Sequence, residues 1–118
     1  MAESLFFVFS NAVDGKDDEF NDWYDGTHIP DVLKVPGVSA AQRYSLSPIE
    51  MPESDEGPVP PPAHRYLAVY TVDGEPQAVM GDFLGRVGSG EMELSPTLDL
   101  TTVSMGFWTA HGPRRTAK

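Results

Sequence analysis

The 118-residue chain predicts an α+β fold of order strand, helix, strand, strand, helix, strand. That order is the split β-α-β unit used twice, the ferredoxin-like arrangement, with a four-stranded antiparallel sheet and two helices on one face. Three observations carry it. Four stretches run apolar or alternate with the period of a strand. Two stretches repeat apolar residues every three and four positions. Asp14-Gly15, Pro36-Gly37, Asp73-Gly74 and a proline-rich segment punctuate them.

Residues 4 to 13 read as the first strand. Phe6 and Val8 lie on one face, and Leu5, Phe7 and Phe9 on the other. A strand covered on one side only alternates with polar residues, so this one needs cover on both sides. The first helix opens at Asp17, which is placed to cap it. Asp18 and Glu19 bring negative charge to the first turn, where the helix dipole favours it. Phe20, Trp23, Tyr24 and Thr27 share one helical face. Gly26 is a natural stop. Pro30 biases Ile29 towards an extended conformation and opens a second short helix, Pro30 to Val35. His28 then falls in the joint between two helical pieces, among aromatic and apolar neighbours.

Val38 to Ser47 form the second strand, with Val38, Ala40, Gln42, Tyr44 and Leu46 on one face and Ser39, Ala41, Arg43 and Ser45 on the other. Residues 48 to 63 are a loop holding six of the eleven prolines: Pro48, Pro52, Pro58, Pro60, Pro61 and Pro62. The last three favour a stiff, polyproline-like path. Loops of this length serve as lids or as plain surface connections. Residues 64 to 73 are the third strand, in which Tyr66, Ala68, Tyr70 and Val72 alternate with Leu67, Val69 and Thr71. Pro76 starts the last helix, Val79, Met80, Phe83, Leu84 and Val87 give its apolar face, and Gly88 and Gly90 close it. The final strand spans about Leu98 to Ala110. Residues 1–111 are thus one domain, and 112–118 a basic tail.

Eighteen acidic residues against eight basic ones give a formal charge of −10. Asp14, Asp17, Asp18, Glu19, Asp22, Asp25 and Asp31 cluster around the first helix, and Glu50, Glu53, Asp55 and Glu56 in the loop. This balance opposes nucleic-acid binding, which depends on neutralising phosphates. It fits a solvated acidic face, since no EF-hand spacing is present. The chain has no cysteine, which excludes disulfides and thiolate metal sites. The apolar run Leu5 to Phe9 is too short for a membrane span or a signal peptide. A soluble cytoplasmic protein without membrane partners is expected. No two histidines have metal-ligand spacing, and His64 and His111 sit at strand ends, where exposure is expected. G-x-G-x-x-G, P-loop and G-x-S-x-G motifs are absent from the sequence.

Phe20-Asn21-Asp22-Trp23-Tyr24, His28-Ile29-Pro30-Asp31, Val35-Pro36-Gly37-Val38 and Arg43-Tyr44 together resemble the EthD-like group of the dimeric α+β barrel superfamily. The motif match covers residues 4 to 47; the remainder agrees by element order. The long proline-rich loop departs from the group's general pattern. Members and neighbours of that superfamily include lactone isomerases, polyketide cyclases and dehydratases, decarboxylases, cofactor-free monooxygenases and haem-binding enzymes. The resemblance implies a pocket between helix and sheet, faced by His28 and served by Tyr24 and Tyr44.

The residue chemistry suits that implication. Histidine takes and returns a proton near neutral pH. A tyrosine hydroxyl donates to a developing oxyanion. Phe20, Trp23, Ile29 and Leu33 offer apolar walls for a ring-shaped ligand, and Arg43 either pairs with an anionic substrate or bridges to the acidic helix. Trp23 and Tyr24 equally fit a core stripe, and His28 a structural bond to a backbone carbonyl. The expected function is a small enzyme, needing no cofactor, that acts on an aromatic, lactone or polyketide-like molecule by isomerisation, cyclisation, dehydration or decarboxylation. The alternative is a non-catalytic small-molecule binding protein on the same fold. Two helices cover one sheet face only, so the doubly apolar first strand predicts a homodimer packed sheet against sheet.

Overall fold

A computed structural model describes residues 3–50, 52, 55, 57 and 59–117. Glu53, Glu56 and Pro58 of the acidic, proline-rich loop lie outside these, as does Lys118 of the tail. The elements are β1 (Ser4–Ser10), α1 (Asp17–Trp23), a π-helical turn (Tyr24–His28), α2 (Ile29–Val32), β2 (Val38–Ser45), β3 (Tyr66–Val72), α3 (Pro76–Ser89) and β4 (Ser104–Thr109). The strands form one sheet in the order β2-β3-β1-β4. Every neighbouring pair is antiparallel. This is the ferredoxin-like α+β fold, with the most apolar strand in the centre.

The helices bury one face of the sheet. Phe6 on β1 pairs with Tyr70 on β3 and Phe107 on β4. Its ring stacks on Phe107 at 4.5 Å and meets Phe83 of α3 edge-on at 5.8 Å. Phe20, Tyr24, Val32, Val35, Val72 and Val79 complete this core. Each such side chain contributes about 1.5–3 kcal/mol through burial. Gly37 fits here because its φ is +96° and any Cβ would lie 2.8 Å from the Asp73 carbonyl oxygen. That close approach lets Asp73 N–H donate to the Gly37 carbonyl at 2.7 Å, tying the start of β2 to the end of β3.

Several boundaries differ from expectation, for local reasons. β1 stops at Ser10 rather than residue 13. Asn11 takes over the ladder: its amide donates to Ala63 O at 3.0 Å, its carbonyl oxygen accepts from Arg65 N–H at 2.8 Å, and its main-chain carbonyl accepts from Asp99 N–H at 3.0 Å. The same side chain therefore delays β3 to Tyr66. β4 starts at Ser104, not Leu98. Asp99 accepts from Thr101 N–H at 3.0 Å and from its hydroxyl at 2.6 Å, a turn built by the short acidic side chain. Leu98 keeps only an isolated bridge to Ala12.

Asp17 does not cap its helix; it is the first helical residue. Its carboxylate accepts instead from the Tyr66 hydroxyl at 2.6 Å, which holds its pKa below the usual carboxylate value. Nor does the helix stop at Gly26. The chain stays right-handed and widens into the π turn, and Ile29 is helical at φ −57°, ψ −49°. Pro30 supplies the cause. In an α-helix its ring would strike the carbonyl four residues back, that of Gly26, and an N–H would be missing; one extra residue in the turn relieves both. α2 then ends at Val32, short of the expected Val35.

In β2 a bulge lies between Val38 and Ala40, so Val38 pairs with Val72 while Ala40 pairs with Thr71. The bulge puts Val38, Ala41 and Arg43 on the helix-covered face, and leaves Ala40 and Tyr44 on the other. That other face carries Leu5, Phe7, Phe9, Leu67, Val69 and Trp108, aligned by strand pairing. Trp108 is 61% exposed there and Tyr44 53%. No described helix is long and apolar enough to cross a membrane.

Candidate functional site

His28 closes the π turn. With one extra residue per turn, neighbours four and five positions back both flank its ring. Trp23 stacks on it at 4.7 Å and 25°, and Tyr24 meets it edge-on at 4.9 Å. The imidazole is only 5% exposed. Its Nδ1 is buried and has no hydrogen-bond partner among the described residues, so it does not cap a backbone carbonyl. Burial drives its pKa down to about 4; Asp31 pulls upward and Arg43 adds to the fall. Near neutral pH the ring is uncharged, with one nitrogen protonated and the other able to accept a proton.

Across from it, Tyr70 projects from β3. It is 1% exposed, and its hydroxyl has no hydrogen-bond partner of normal geometry among the described residues. Burial raises the pKa of Tyr70 and of Tyr24, and the two phenols lie close enough to influence each other's ionisation. Ser10, at the end of β1 and 1% exposed, is the third buried hydroxyl-bearing wall, and its Oγ also lacks a partner among the described residues. His28, Tyr24, Tyr70 and Ser10 line one cavity of about 100 Å³ between sheet and helices. Phe6, Val8, Phe83 and Met105 are among its apolar walls, and none of its lining residues carries a carboxylate, an ammonium or a guanidinium.

The structure thus brings His28 and Tyr24 together and leaves Tyr44 out. Tyr44 lies on the opposite face of the sheet because the β2 bulge reverses the alternation read from sequence. The expected walls also shift. Phe20 is fully buried core, packed on Trp23, Tyr24 and Tyr66. Trp23 supports His28 from behind, Ile29 packs into the core, and Leu33 is exposed. None of the four lines the cavity. Arg43 is closed off from it as well. Its guanidinium lies 4.3 Å from the centre of the Tyr24 ring and bonds Asp25 at 3.0 Å and Asn21 at 2.9 Å, the ion pair to the acidic helix.

Sequence reasoning missed Tyr70 and Ser10. A signal existed for both: alternation puts each on the core face of its strand, a hydroxyl among Phe6, Val8, Ala68 and Val72. No such signal marked the cavity's far wall, Leu98 to Val103, which reads as strand but folds as turns. His64 is only half-buried rather than exposed, and is engaged, with Nε2 2.7 Å from Thr102 O. It borders a larger groove of about 980 Å³ on the outer sheet face, beside Tyr44, Leu46 and Pro60. Among the described residues, that groove lacks the buried, unpartnered polar atoms that line the smaller cavity. Among the described residues no cluster of three histidines or carboxylates could hold a metal ion.

By sequence the chain matches no protein-family description and no curated protein. By structure it is similar to an ethyl tert-butyl ether D (EthD) family protein from Bacillus halodurans, with a TM-score of 0.51 and 12% identity over 94% of this chain and 100% of that one. It is also similar to the ActVA-Orf6 monooxygenase of Streptomyces coelicolor, solved with nanaomycin D, with a TM-score of 0.52 and 15% identity over 98% of this chain and 93% of that one. These likenesses show the fold, the one the EthD-like motif implies.

Proposed function

We propose that the protein is a small enzyme that moves a proton on a neutral ring or carbonyl compound held between helices and sheet, using only side chains of the chain. The observation that carries this is the convergence of His28, Tyr70 and Tyr24 on one apolar cavity, where, among the described residues, His28 Nδ1 has no hydrogen-bond partner and the Tyr70 hydroxyl faces only that of Tyr24. Buried polar atoms without partners cost about 1–3 kcal/mol each, a penalty that a ligand's polar groups would remove. Neutral His28 accepts a proton from carbon next to a carbonyl. Tyr70, with Tyr24 beside it, donates a hydrogen bond to the enolate oxygen that forms. Return of the proton to a second carbon gives isomerisation; loss of a leaving group gives dehydration. Tyr70 takes the role that the sequence offered to Tyr44.

A non-catalytic binding protein is the second reading, favoured by one observation: a pKa of about 4 makes His28 a weak base. Hydrogen–deuterium exchange separates the two. In D₂O the protein should accelerate exchange at C1 of 2-tetralone, and His28→Gln should reduce that acceleration by about 10²–10⁴-fold. Equal exchange by both proteins, with a lower melting temperature in the variant, makes His28 structural and the protein a binder.

The same proposal includes a homodimer, paired sheet to sheet as a dimeric α+β barrel. Its support is the outer sheet face, where Leu5, Phe7, Phe9 and Trp108 lie together in a chain whose helices cover only the inner face.

A further inference from the structure

We infer that the cavity is built for an uncharged, flat molecule with oxygen functions at two opposite ends; the inference rests on the site reading above and narrows its ligand. One polar end is His28 with Tyr24 and Tyr70. The other is Ser10. Phe6 is the β1 partner of Tyr70, and Ser10 lies four residues further along β1, about 13 Å of strand. Between them the sheet contributes Val8 and Met105 to the cavity wall. The Ser10 hydroxyl is buried, lines the cavity and has no partner among the described residues. Ser4, whose buried hydroxyl also has no partner among the described residues, is not a cavity residue, so the arrangement at Ser10 is not a general feature of β1.

Charge selects further. No lining residue carries a carboxylate, an ammonium or a guanidinium, and burial keeps His28 neutral. The nearest guanidinium, Arg43, is stacked on Tyr24 and committed to Asp25 and Asn21. A carboxylate or phosphate entering the cavity would lose its hydration with no counter-charge. A phenol, ketone or hydroxyl loses far less and finds a partner at each end. Leu84, Leu100 and Met105 are partly exposed at the cavity wall, an apolar entry for such a ring.

Three probes test this by titration followed through Trp23, the tryptophan stacked on His28, in a Trp108→Phe background: 2,6-dihydroxynaphthalene, 2-naphthol and 2-naphthoate. The two-ended diol should bind at least tenfold tighter than 2-naphthol, and 2-naphthoate at least tenfold weaker. Ser10→Ala should erase the diol's advantage and leave 2-naphthol unchanged, while Tyr70→Phe should weaken both. Ser10→Ala removes an unsatisfied hydroxyl and should melt no lower than the parent; Ser10→Cys, nearly isosteric, serves as a second variant. An unchanged diol affinity in both Ser10 variants overturns the two-ended ligand while the site reading stands. Tight binding of 2-naphthoate overturns the charge selection. Indifference of 2-naphthol to Tyr70→Phe, or no binding by any probe, overturns the site reading itself.

Discussion

Acidification should unfold this protein partly through His28, and by a calculable amount. The folded-state pKa is about 4 against an ordinary 6.5, with burial the first cause. Between those values the unfolded chain holds a proton on this ring and the folded chain does not. Stability therefore rises with pH across that window: it is full above about 6.5 and falls as pH drops towards 4. Integrating over the window, the step from pH 7.5 to pH 4.5 costs about 2.5 kcal/mol at this one site. Acid acts on more than this one ring, so the wild-type curve alone is not diagnostic. His28→Gln keeps those groups and removes this one. Urea unfolding of both proteins at pH 7.5, 6.0 and 4.5 gives the difference. Wild type should lose about 2–3 kcal/mol more than the variant on acidification. Parallel curves, within about 0.5 kcal/mol, would mean that the ring is solvated and that its placement in an apolar cavity is wrong. Under the proposed function the same numbers set the expected pH profile. Exchange activity should rise with pH through a transition near 4, well below the 6.5 of an unperturbed histidine.

Light scattering at micromolar concentration should give about twice the chain mass, and Trp108→Glu on the outer sheet face should give a monomer; a monomeric wild type would count against the barrel pairing. Cutting back residues 50–62 should leave cooperative melting intact, because no described residue between Ile49 and Ala63 is fully buried. Loss of a cooperative transition in that deletion would place the loop in the core.

Why the fold was legible and the site only partly so follows from a few residues. The strand and helix periods of Leu5 to Phe9, Tyr66 to Val72 and Val79 to Val87 are set by burial on one face, which a sequence displays directly. His28 was legible for the same reason, standing alone among aromatics. The assignment of Tyr44 failed because alternation holds only while the ladder is regular. The irregularity at Val38/Ala40 exchanges the faces of every β2 residue before it, so a chain numbered from Val38 puts Tyr44 inside and Arg43 outside, the reverse of what is found. Counting from the other end gives the right answer: the small Ala41, flanked by the polar Ser39 and Arg43, is the residue that pairs with Tyr70. Strand alternation carries no mark of where a bulge lies, whereas pairing partners do. Proline leaves a different trace. By rule Pro30 biases its predecessor towards extended backbone, yet Ile29 is helical. The chain met the steric demand by widening the turn before the proline, and that added residue is what turns His28 towards Tyr24 and the cavity. The helix irregularity and the placement of His28 on the cavity thus have one cause, which makes Pro30 a positioning element of the candidate site although it does not line the cavity.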